Sequence, residues 1–471
     1  MIEYGHDYTC VHGEVPDDCP KCDPFNVEPN QPHTDLGNAR RLVAAHGKTL
    51  RHVPAWRKWF IWDSARWARD ITGEHHRAAK TVARHLTEDA QRVPDGDLRK
   101  ALLNAARRAE SAPGVRGMIE LAATELGVAL APAQLDADPD ILNTASGVLE
   151  LDTGILRLHD PALNLTKVTA AGYDADADAP EFAKFLERIQ PDPAMREFLA
   201  RLLGHALSGR VREHVLPILY GVGANGKSTL VEVVRRLLGD YAATVDPGLL
   251  IDRGEVHPTG VADLFGLRLA VTHESDQGRR LAEGTIKRLT GGDAITARRM
   301  REDFWTFEPT HSLIMITNHA PVVTGTDEGI WRRLRIVPFE VVIPVDERDP
   351  DLPERLDLER DGILRWLVDG YHAYLRCGLG EPEKVTAATK GYRDGSDMLG
   401  LFVEERCLVM AGCRVRSSDL FEKWVEWCAK ENVPAGTQKA FSTALSERGF
   451  DKIRTDVGVH WVGLGLQSEE G

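Results

Sequence analysis

The sequence has no run of about 18 apolar residues, which excludes a bilayer-spanning helix. Its opening, MIEYGHDYTC, lacks the basic and apolar blocks of a secretion signal, so a cytoplasmic protein is expected. Cysteine is scarce, seven in 471 residues, and in a cytoplasmic chain that argues against a disulfide framework. A basic surplus is missing too. The net charge of −14 excludes a protein that coats nucleic acid with its whole surface, yet allows a local basic channel, because short-range contacts follow local charge. Internal repeats and low-complexity tracts are also missing. What remains, 42% hydrophobic and 28% charged, is the composition of a globular protein with room for two to four domains.

The most informative stretch is 221–229, GVGANGKST, which fits G-x-x-x-x-G-K-[ST]. An apolar run at 215–220 precedes it and reads as a buried strand. After it, Leu230, Val233, Val234 and Leu237 recur at helical spacing. Strand, glycine-rich turn and helix together make a phosphate cradle, in which backbone N–H groups and the helix N-terminus face the anion. Gly221, Gly223, Ala224, Asn225, Gly226, Lys227, Ser228 and Thr229 are therefore the expected nucleotide-binding residues. Lys227 would reach the β/γ-phosphates, and Ser228 would hold Mg²⁺.

Hydrolysis also needs an acid near the γ-phosphate and a polar group that senses it. Three further apolar stretches, at 267–272, 312–317 and 334–339, read as strands. The first ends at His273-Glu274 and the second at Asn318, which suggests one sheet presenting its carboxyl ends to a nucleotide. Glu274 is the expected acid and second Mg²⁺ contact, and Asn318 the expected sensor. Arg332 and Arg333 precede the last strand, where an arginine can reach a neighbouring subunit's phosphate. Between Glu274 and Asn318, TARRMREDFWTF (296–307) reads as a hairpin with a basic tip. Arg298, Arg299 and Arg301, with Lys287 before them, are the expected DNA-binding cations.

Outside this core, Cys10, His12, Cys19 and Cys22 supply four ligands suited to a structural zinc; the competing reading is a tail with stray cysteines. Thr34-Asp35 caps a helix over 36–46. WFIWDSARW (59–67) reads as a hairpin turning at 63–65, in a segment with four of the ten tryptophans; these rings either stack on bases or pack a core. Residues 71–127 read as helix broken at Pro94 and Pro113, 142–158 as strands turning at 152–154, and 180–207 as helix interrupted at 191–193. An amphipathic helix at 360–375 is expected to pack as a lid. Residues 398–466 read as helix, helix, helix, hairpin, a winged-helix pattern that serves for DNA binding or docking. The second of the two capped helices there carries only Lys439 and Arg448 as cations.

Collectively, 221–229, Glu274, LTGGD (289–293), ITAR (295–298), ITNHAP (316–321) and GIWRRLRIVPF (329–339) resemble the superfamily 3 helicase core. More narrowly, they look like the poxvirus-type primase-helicase family of phages and plasmids. TDLGNARRLV (34–43), the tryptophan-rich hairpin and LNTASGVLELDTG (142–154) are similar to that family's N-terminal helicase-associated domain. The resemblance implies an α/β chain: a zinc-knuckle tail (1–30), an α+β helicase-associated domain (34–180), an AAA+ P-loop core (181–345), a helical lid (346–396) and a winged helix (397–471). It further implies a hexameric ring that uses ATP and Mg²⁺ to translocate 3′ to 5′ on single-stranded or forked DNA, with a separate primase or polymerase as partner. Arg332 or Arg333 would be the trans-acting finger, and the basic hairpin the pore loop. Two features depart from the family. His273 stands where many such motifs carry a second acid, and with about thirty residues before the helicase regions a primase active site is not expected in this sequence. The other functions compatible with the phosphate loop are a kinase or packaging motor, and an initiator or loader that does not unwind processively.

Overall fold

The computed structural model describes residues 33–252, 258–274, 279–299, 304–323, 328–430, 435–456 and 458–467. The zinc-ligand candidates Cys10, His12, Cys19 and Cys22 lie outside the described residues, as does Arg301. No described helix is long and apolar enough to cross a membrane.

Helix α1 (Asp35–His46) opens as expected, with Thr34 Oγ1 accepting from the Gly37 amide and so satisfying one open N–H of the first turn. Strands β1 (Leu50–Val53), β2 (Lys58–Trp62) and β3 (Trp67–Arg69) form an antiparallel sheet in that order. The 63–66 turn is held by Asp63 Oδ1, which accepts from the Ala65 and Arg66 amides. Helices α2 (Glu74–Arg92), α3 (Gly96–Glu110) and α4 (Ala112–Ala122) follow. The break at Pro94 is present, but the second break falls at Ser111 rather than Pro113. Ser111 caps α4 by accepting from the Gly114 amide, and Pro113 sits inside the first turn, where its missing N–H costs nothing. Trp59 and Trp67 are buried, so those two rings pack a core and are not open for base stacking.

A second small sheet has β4 (Ile141–Thr144), β5 (Gly147–Glu150) and β6 (Leu156–Arg157). Its Leu142 and Leu149, with Leu151 just beyond, join the core of the next helices, α5 (Pro180–Ile189) and α6 (Pro193–His205). The interruption between these two helices is where the sequence puts it, and Asp192 caps the second by accepting from the Ala194 amide.

The main sheet is built from β7 (Leu216–Tyr220), α7 (Lys227–Leu237), β8 (Ala242–Thr244), α8 (Pro258–Ala262), β9 (Leu269–Glu274), α9 (Glu283–Leu289), the hairpin β10 (Ile295–Ala297) and β11 (Trp305–Phe307), β12 (Ser312–Thr317), α10 (Glu328–Trp331) and β13 (Leu334–Pro338). Five strands lie in the order β13-β7-β12-β9-β8, all parallel. The middles of the central strands β7, β12 and β9 are apolar because both faces are covered. Leu219, Val271, Ile314 and Val337 face α5–α7, whereas Ile218, Ala270, Met315 and Ile336 face α9, α10 and the hairpin. One boundary shifts: β9 starts two residues later than the apolar run and includes His273 and Glu274.

Beyond the sheet come α11 (Leu352–Leu358), α12 (Arg360–Cys377) and α13 (Glu383–Ser396). Rather than covering the phosphate loop as a lid, α12 is a core helix: Ile363, Leu364, Leu367, Val368 and Tyr371 are buried with α6. The two helices cross at glycines. A Cβ on Gly370 would stand 2.1 Å from the Ala200 carbonyl oxygen, and one on Gly204 would stand 2.4 Å from the Tyr371 nitrogen. Helix α13 lies along the edge strand β13, where the Thr389 hydroxyl accepts from the Ile336 amide at 3.0 Å.

The C-terminal unit comprises α14 (Met398–Arg406), β14 (Cys407–Arg416), α15 (Ser417–Lys430), α16 (Gln438–Glu447), β15 (Lys452–Thr455) and β16 (Gly458–Leu466). Its sheet runs β14-β16-β15, packed on Phe402, Trp424, Trp427 and Phe441. Strand β14 is missing from the sequence reading. Its pairing slips between Val409 and Arg414, and a bulge of that kind erases the two-residue alternation by which a strand is recognised.

Candidate nucleotide site

The carboxyl ends of three strands are flush. Thr317 pairs with Tyr220 on one side and with Glu274 on the other. Because β12 lies between β7 and β9, Asn318 follows a strand flanked by the one that enters the phosphate loop and the one that ends at Glu274. The backbone of Glu274 is therefore level with the loop; its side chain lies outside the described residues.

The loop is shaped by close approaches. Gly221 has the Phe339 carbonyl oxygen 2.3 Å from where a Cβ would be. Gly226, at φ +78°, precedes α7 and would place a Cβ 2.4 Å from Ile189 Cγ2. Gly223 and Ala224 also have positive φ, and the Ala224 carbonyl accepts from the Ile343 amide at 2.8 Å. Asn225, expected among the nucleotide-binding residues, is buried and donates through Nδ2 to the Phe339 carbonyl at 3.1 Å, so its side chain braces the loop from within. Gln190 was not legible as a contributor; its amide donates to the Pro338 carbonyl at 2.8 Å and ties the end of α5 to β13 beside the loop.

Lys227 is 2% exposed. Its ammonium donates to the Gly221 carbonyl (2.6 Å), Asn225 Oδ1 (3.0 Å) and Asn318 Oδ1 (3.2 Å). All three acceptors are neutral, and burial pushes the lysine down to about 8, since desolvation disfavours its charged form. A phosphate oxygen is the acceptor that would reverse this. Ser228 is exposed at the start of α7 and Thr229 half-buried behind it. The Ser228 hydroxyl, a carboxylate at position 274 and phosphate oxygens are all hard oxygen donors, a set that suits Mg²⁺.

The two arginines differ sharply. Arg333 is 7% exposed, donates through Nε to Thr290 Oγ1 at 3.2 Å and through a terminal nitrogen to the Gly329 carbonyl at 2.6 Å. It is committed inside its own chain. Arg332 is exposed. In the hairpin, Ile295, Ala297 and Phe307 are buried, and β10 pairs with β11 as expected. Arg298 and Arg299, just past β10, are exposed, with the Arg298 guanidinium 4.7 Å from the Phe304 ring. Lys287 lies on α9, half-buried. Trp305 of the hairpin meets Trp56 of the N-terminal unit (5.9 Å, edge-on) and Phe265 (4.8 Å), a joint that nothing in the local sequence signals.

The opposite, amino edge of the sheet has another character. There β7 and β12 begin over a cavity of about 20 Å³ lined by His205, Glu213, Thr290, His311 and Ser312. Burial pushes both His205 and His311 down to about 4. Ser312 Oγ lies 3.4 Å from His205 Nδ1, and the Tyr374 hydroxyl donates to Glu213.

Residues 39–191 match the family described as D5 N terminal like. A second match, over 219–333, is to a family of unknown function. The D5-like match thus covers the N-terminal unit and α5, and the second covers the phosphate loop through Arg333. Among relatives, a protein of Acanthamoeba polyphaga mimivirus named "Putative helicase" is 30% identical over 62% of this chain and 33% of its own length. One of the same name from Frog virus 3 is 26% identical over 54% of this chain and 28% of its own. A protein of African swine fever virus named "Putative primase" is 23% identical over 62% and 34%. The chain spans about a third of the length of these relatives. These likenesses support a D5-like primase-helicase relationship. Among solved structures, the apo C-terminal region of NrS-1 aligns over 88% of this chain and 96% of that chain, with a TM-score of 0.46 at 10% identity, a likeness too loose to carry an argument.

Proposed function

We propose that this chain is an ATP-dependent DNA helicase of superfamily 3, with an AAA+ core that works as a hexameric ring and translocates 3′ to 5′ on single-stranded DNA. The observation that carries the reading is the convergence at one sheet edge of Lys227, Asn318 and the end of the strand bearing Glu274. In this reading the loop amides and Lys227 hold the β/γ-phosphates of ATP, and Lys227 exchanges its asparagine contacts for phosphate oxygens. Mg²⁺, held by Ser228 and phosphate with Glu274 close by, would neutralise phosphate charge. Glu274 orients the attacking water. Asn318, released from Lys227 when phosphate arrives, reports the state of the site to β12. Arg332, exposed and with no side-chain hydrogen bond or ion pair among the described residues, is the better candidate for stabilising a neighbour's transition state. The basic hairpin would grip the strand through Arg298 and Arg299, with Lys287 behind, and the C-terminal α-β-α-α-β-β unit is read as a winged helix.

The test is ATP-dependent unwinding of a 3′-tailed fork, with Glu274→Gln as control. Strand separation that vanishes in the control supports the reading. DNA-stimulated ATPase without separation would point to an initiator or loader, and no stimulation by DNA would return the chain to the kinase or motor class. Arg332→Ala should lose activity in the assembled ring but regain it at mixed interfaces with Lys227→Ala subunits. An Arg332→Ala protein with full activity overturns that assignment.

A further inference from the structure

Residues 164–170 form a strap tied to both the N-terminal unit and the main sheet's layer of helices. The Trp67 amide donates to the Leu165 carbonyl at 2.8 Å, and Asn143 Nδ2 donates to the Lys167 carbonyl at 2.8 Å. On the other side, the Val168 amide donates to Asp240 Oδ2 at 3.1 Å and the Ala170 amide to the Leu237 carbonyl at 2.9 Å, at and just beyond the end of α7. The backbone of Lys167 is thus held from two directions. Its side chain runs over Gly266, where a Cβ would stand 2.6 Å from Lys167 Cε and 3.5 Å from Nζ. Phe265, the residue before that glycine, packs on Trp305 at the root of the basic hairpin.

Lys167 is half-buried, and its ammonium has no hydrogen bond or ion pair among the described residues. Its surroundings are cationic. Burial pushes the lysine's pKa down, Asp136 opposes this, and Arg66, the hairpin's Arg299 and Arg268 push it down further. The acid is engaged elsewhere: both Asp136 carboxylate oxygens accept from Thr166, one from its amide at 2.8 Å and the other from its hydroxyl. Two of the arginines are engaged as well. Arg66 pairs with Asp63 and Asp240, and the buried Arg268 donates to the Pro139, Leu207 and Ile141 carbonyls. Lys167 and Arg299 remain, the second exposed and likewise without a partner among the described residues. A half-buried ammonium with no acceptor is unfavourable as it stands, and an anion reaching it relieves both the missing bond and the crowding of positive charge.

We infer that Lys167 and Arg299 together form a phosphate site for single-stranded DNA, one cation supplied by the N-terminal unit and the other by the hairpin. Two observations favour a single strand over a duplex. Lys167 is recessed beside the hairpin root, where a flexible strand can reach it and a duplex, stiff over about 150 base pairs, does not. Phe304, 58% exposed and 4.7 Å from the Arg298 guanidinium, offers a ring on which a base can stack. Contacts to phosphate carry no sequence information, so the site would serve any strand. A strand held there lies between a cation fixed by its backbone and one carried on the hairpin, and the N-terminal unit keeps its grip when the hairpin shifts. The inference deepens the reading of the hairpin as a single-strand contact and rests on it, but not on ATP hydrolysis by the main sheet.

The experiment measures binding of the full chain to a single strand and to a blunt duplex of equal length, across a salt series. Lys167→Met removes the charge and keeps the methylenes that lie on Gly266, so folding should be retained; thermal unfolding checks this. Single-strand affinity should fall about three- to tenfold, and the slope of log K against log salt should become shallower by about 0.7, for one phosphate contact. Lys167→Glu should lose more, because a carboxylate there repels the strand, and duplex binding should be unchanged in both. Lys80→Met, at an exposed position on α2, should bind as the parent does. Acetic anhydride labelling read by mass spectrometry gives a second measure: Lys167 should be modified in the free chain and protected by the single strand. Equal single-strand affinity and slope in Lys167→Met and parent overturns the inference. So does an equal loss on both DNAs, labelling of Lys167 that the strand does not change, or no single-strand binding by the parent. A loss in Arg298→Ala with none in Lys167→Met overturns it too, while leaving the hairpin reading in place. Failure of the helicase reading looks different: unwinding is absent, yet single-strand binding and its response to Lys167→Met persist.

Discussion

The two ends of the parallel sheet are made from the same strands and do opposite things with polar groups. At the carboxyl end, Lys227 is buried but every bond its ammonium makes is to a neutral acceptor, so an incoming phosphate improves its situation. At the amino end, His205 and His311 are buried and held neutral, and His205 Nε2 has no hydrogen-bond partner among the described residues. The first end is poised for a ligand. The second closes the core at the expense of stability in acid. Polar burial alone therefore does not mark a site; what distinguishes the carboxyl end is that its buried charge gains from an anion reaching it.

Breaking the first end should have the largest effect. Lys227→Ala should reduce ATP turnover by about 10³-fold or more, because the charge at the developing phosphate is lost in a water-poor site; steady-state ATPase checks this. The loss should not come from unfolding, and a circular-dichroism melt within a few degrees of the parent would establish that.

Acid should break the second end. Both histidines have native values near 4 against about 6.5 unfolded, so between these limits the unfolded chain binds more protons. Their contribution is complete above pH 6.5 and is lost as pH falls toward 4, by up to about 3 kcal/mol for each. Urea unfolding at a series of pH values measures it. In His311→Leu the dependence over this window should weaken; an unchanged slope would mean that the carboxylates alone set it.

A pair of equal substitutions sharpens the contrast at the lower end of the scale. Ser228→Ala should lower ATPase activity about 10–100-fold while leaving stability alone, since its hydroxyl makes no hydrogen bond among the described residues. Ser312→Ala, at the other edge, should leave activity unchanged and shift stability by only about 0.5 kcal/mol, because its contact with His205 is long. If Ser312→Ala impairs turnover instead, the two edges are coupled and the division between them fails.

Most of the site was legible because its signals are local. Glycine spacing, an apolar run before it and helical periodicity after it identify the strand, the loop and α7 without knowledge of the fold. The position of Asn318 at a strand end was equally readable, but its bond to Lys227, 91 residues away, was not. Adjacent arginines cannot be told apart by sequence, since burial of Arg333 depends on how α10 ends and on Thr290 across the core. Asn225 looked like a phosphate contact because it lies in the motif, whereas its amide is spent on the carbonyl of Phe339, just past β13. Helix α12 has the amphipathic pattern that any surface-packed helix would show; only the glycine crossing with α6 reveals it as part of the core. The N-terminal tryptophans were ambiguous for the same reason, as aromatic composition does not say which way a ring points.

Strand β13 bounds the sheet, and α13 lies along that boundary with Thr389 occupying a free amide. A neighbouring subunit cannot extend the sheet there by adding a strand. If the protein assembles into a ring, that flank must be joined by side chains rather than by a shared backbone ladder. Such a joint would open and reseal without partial unfolding of either subunit.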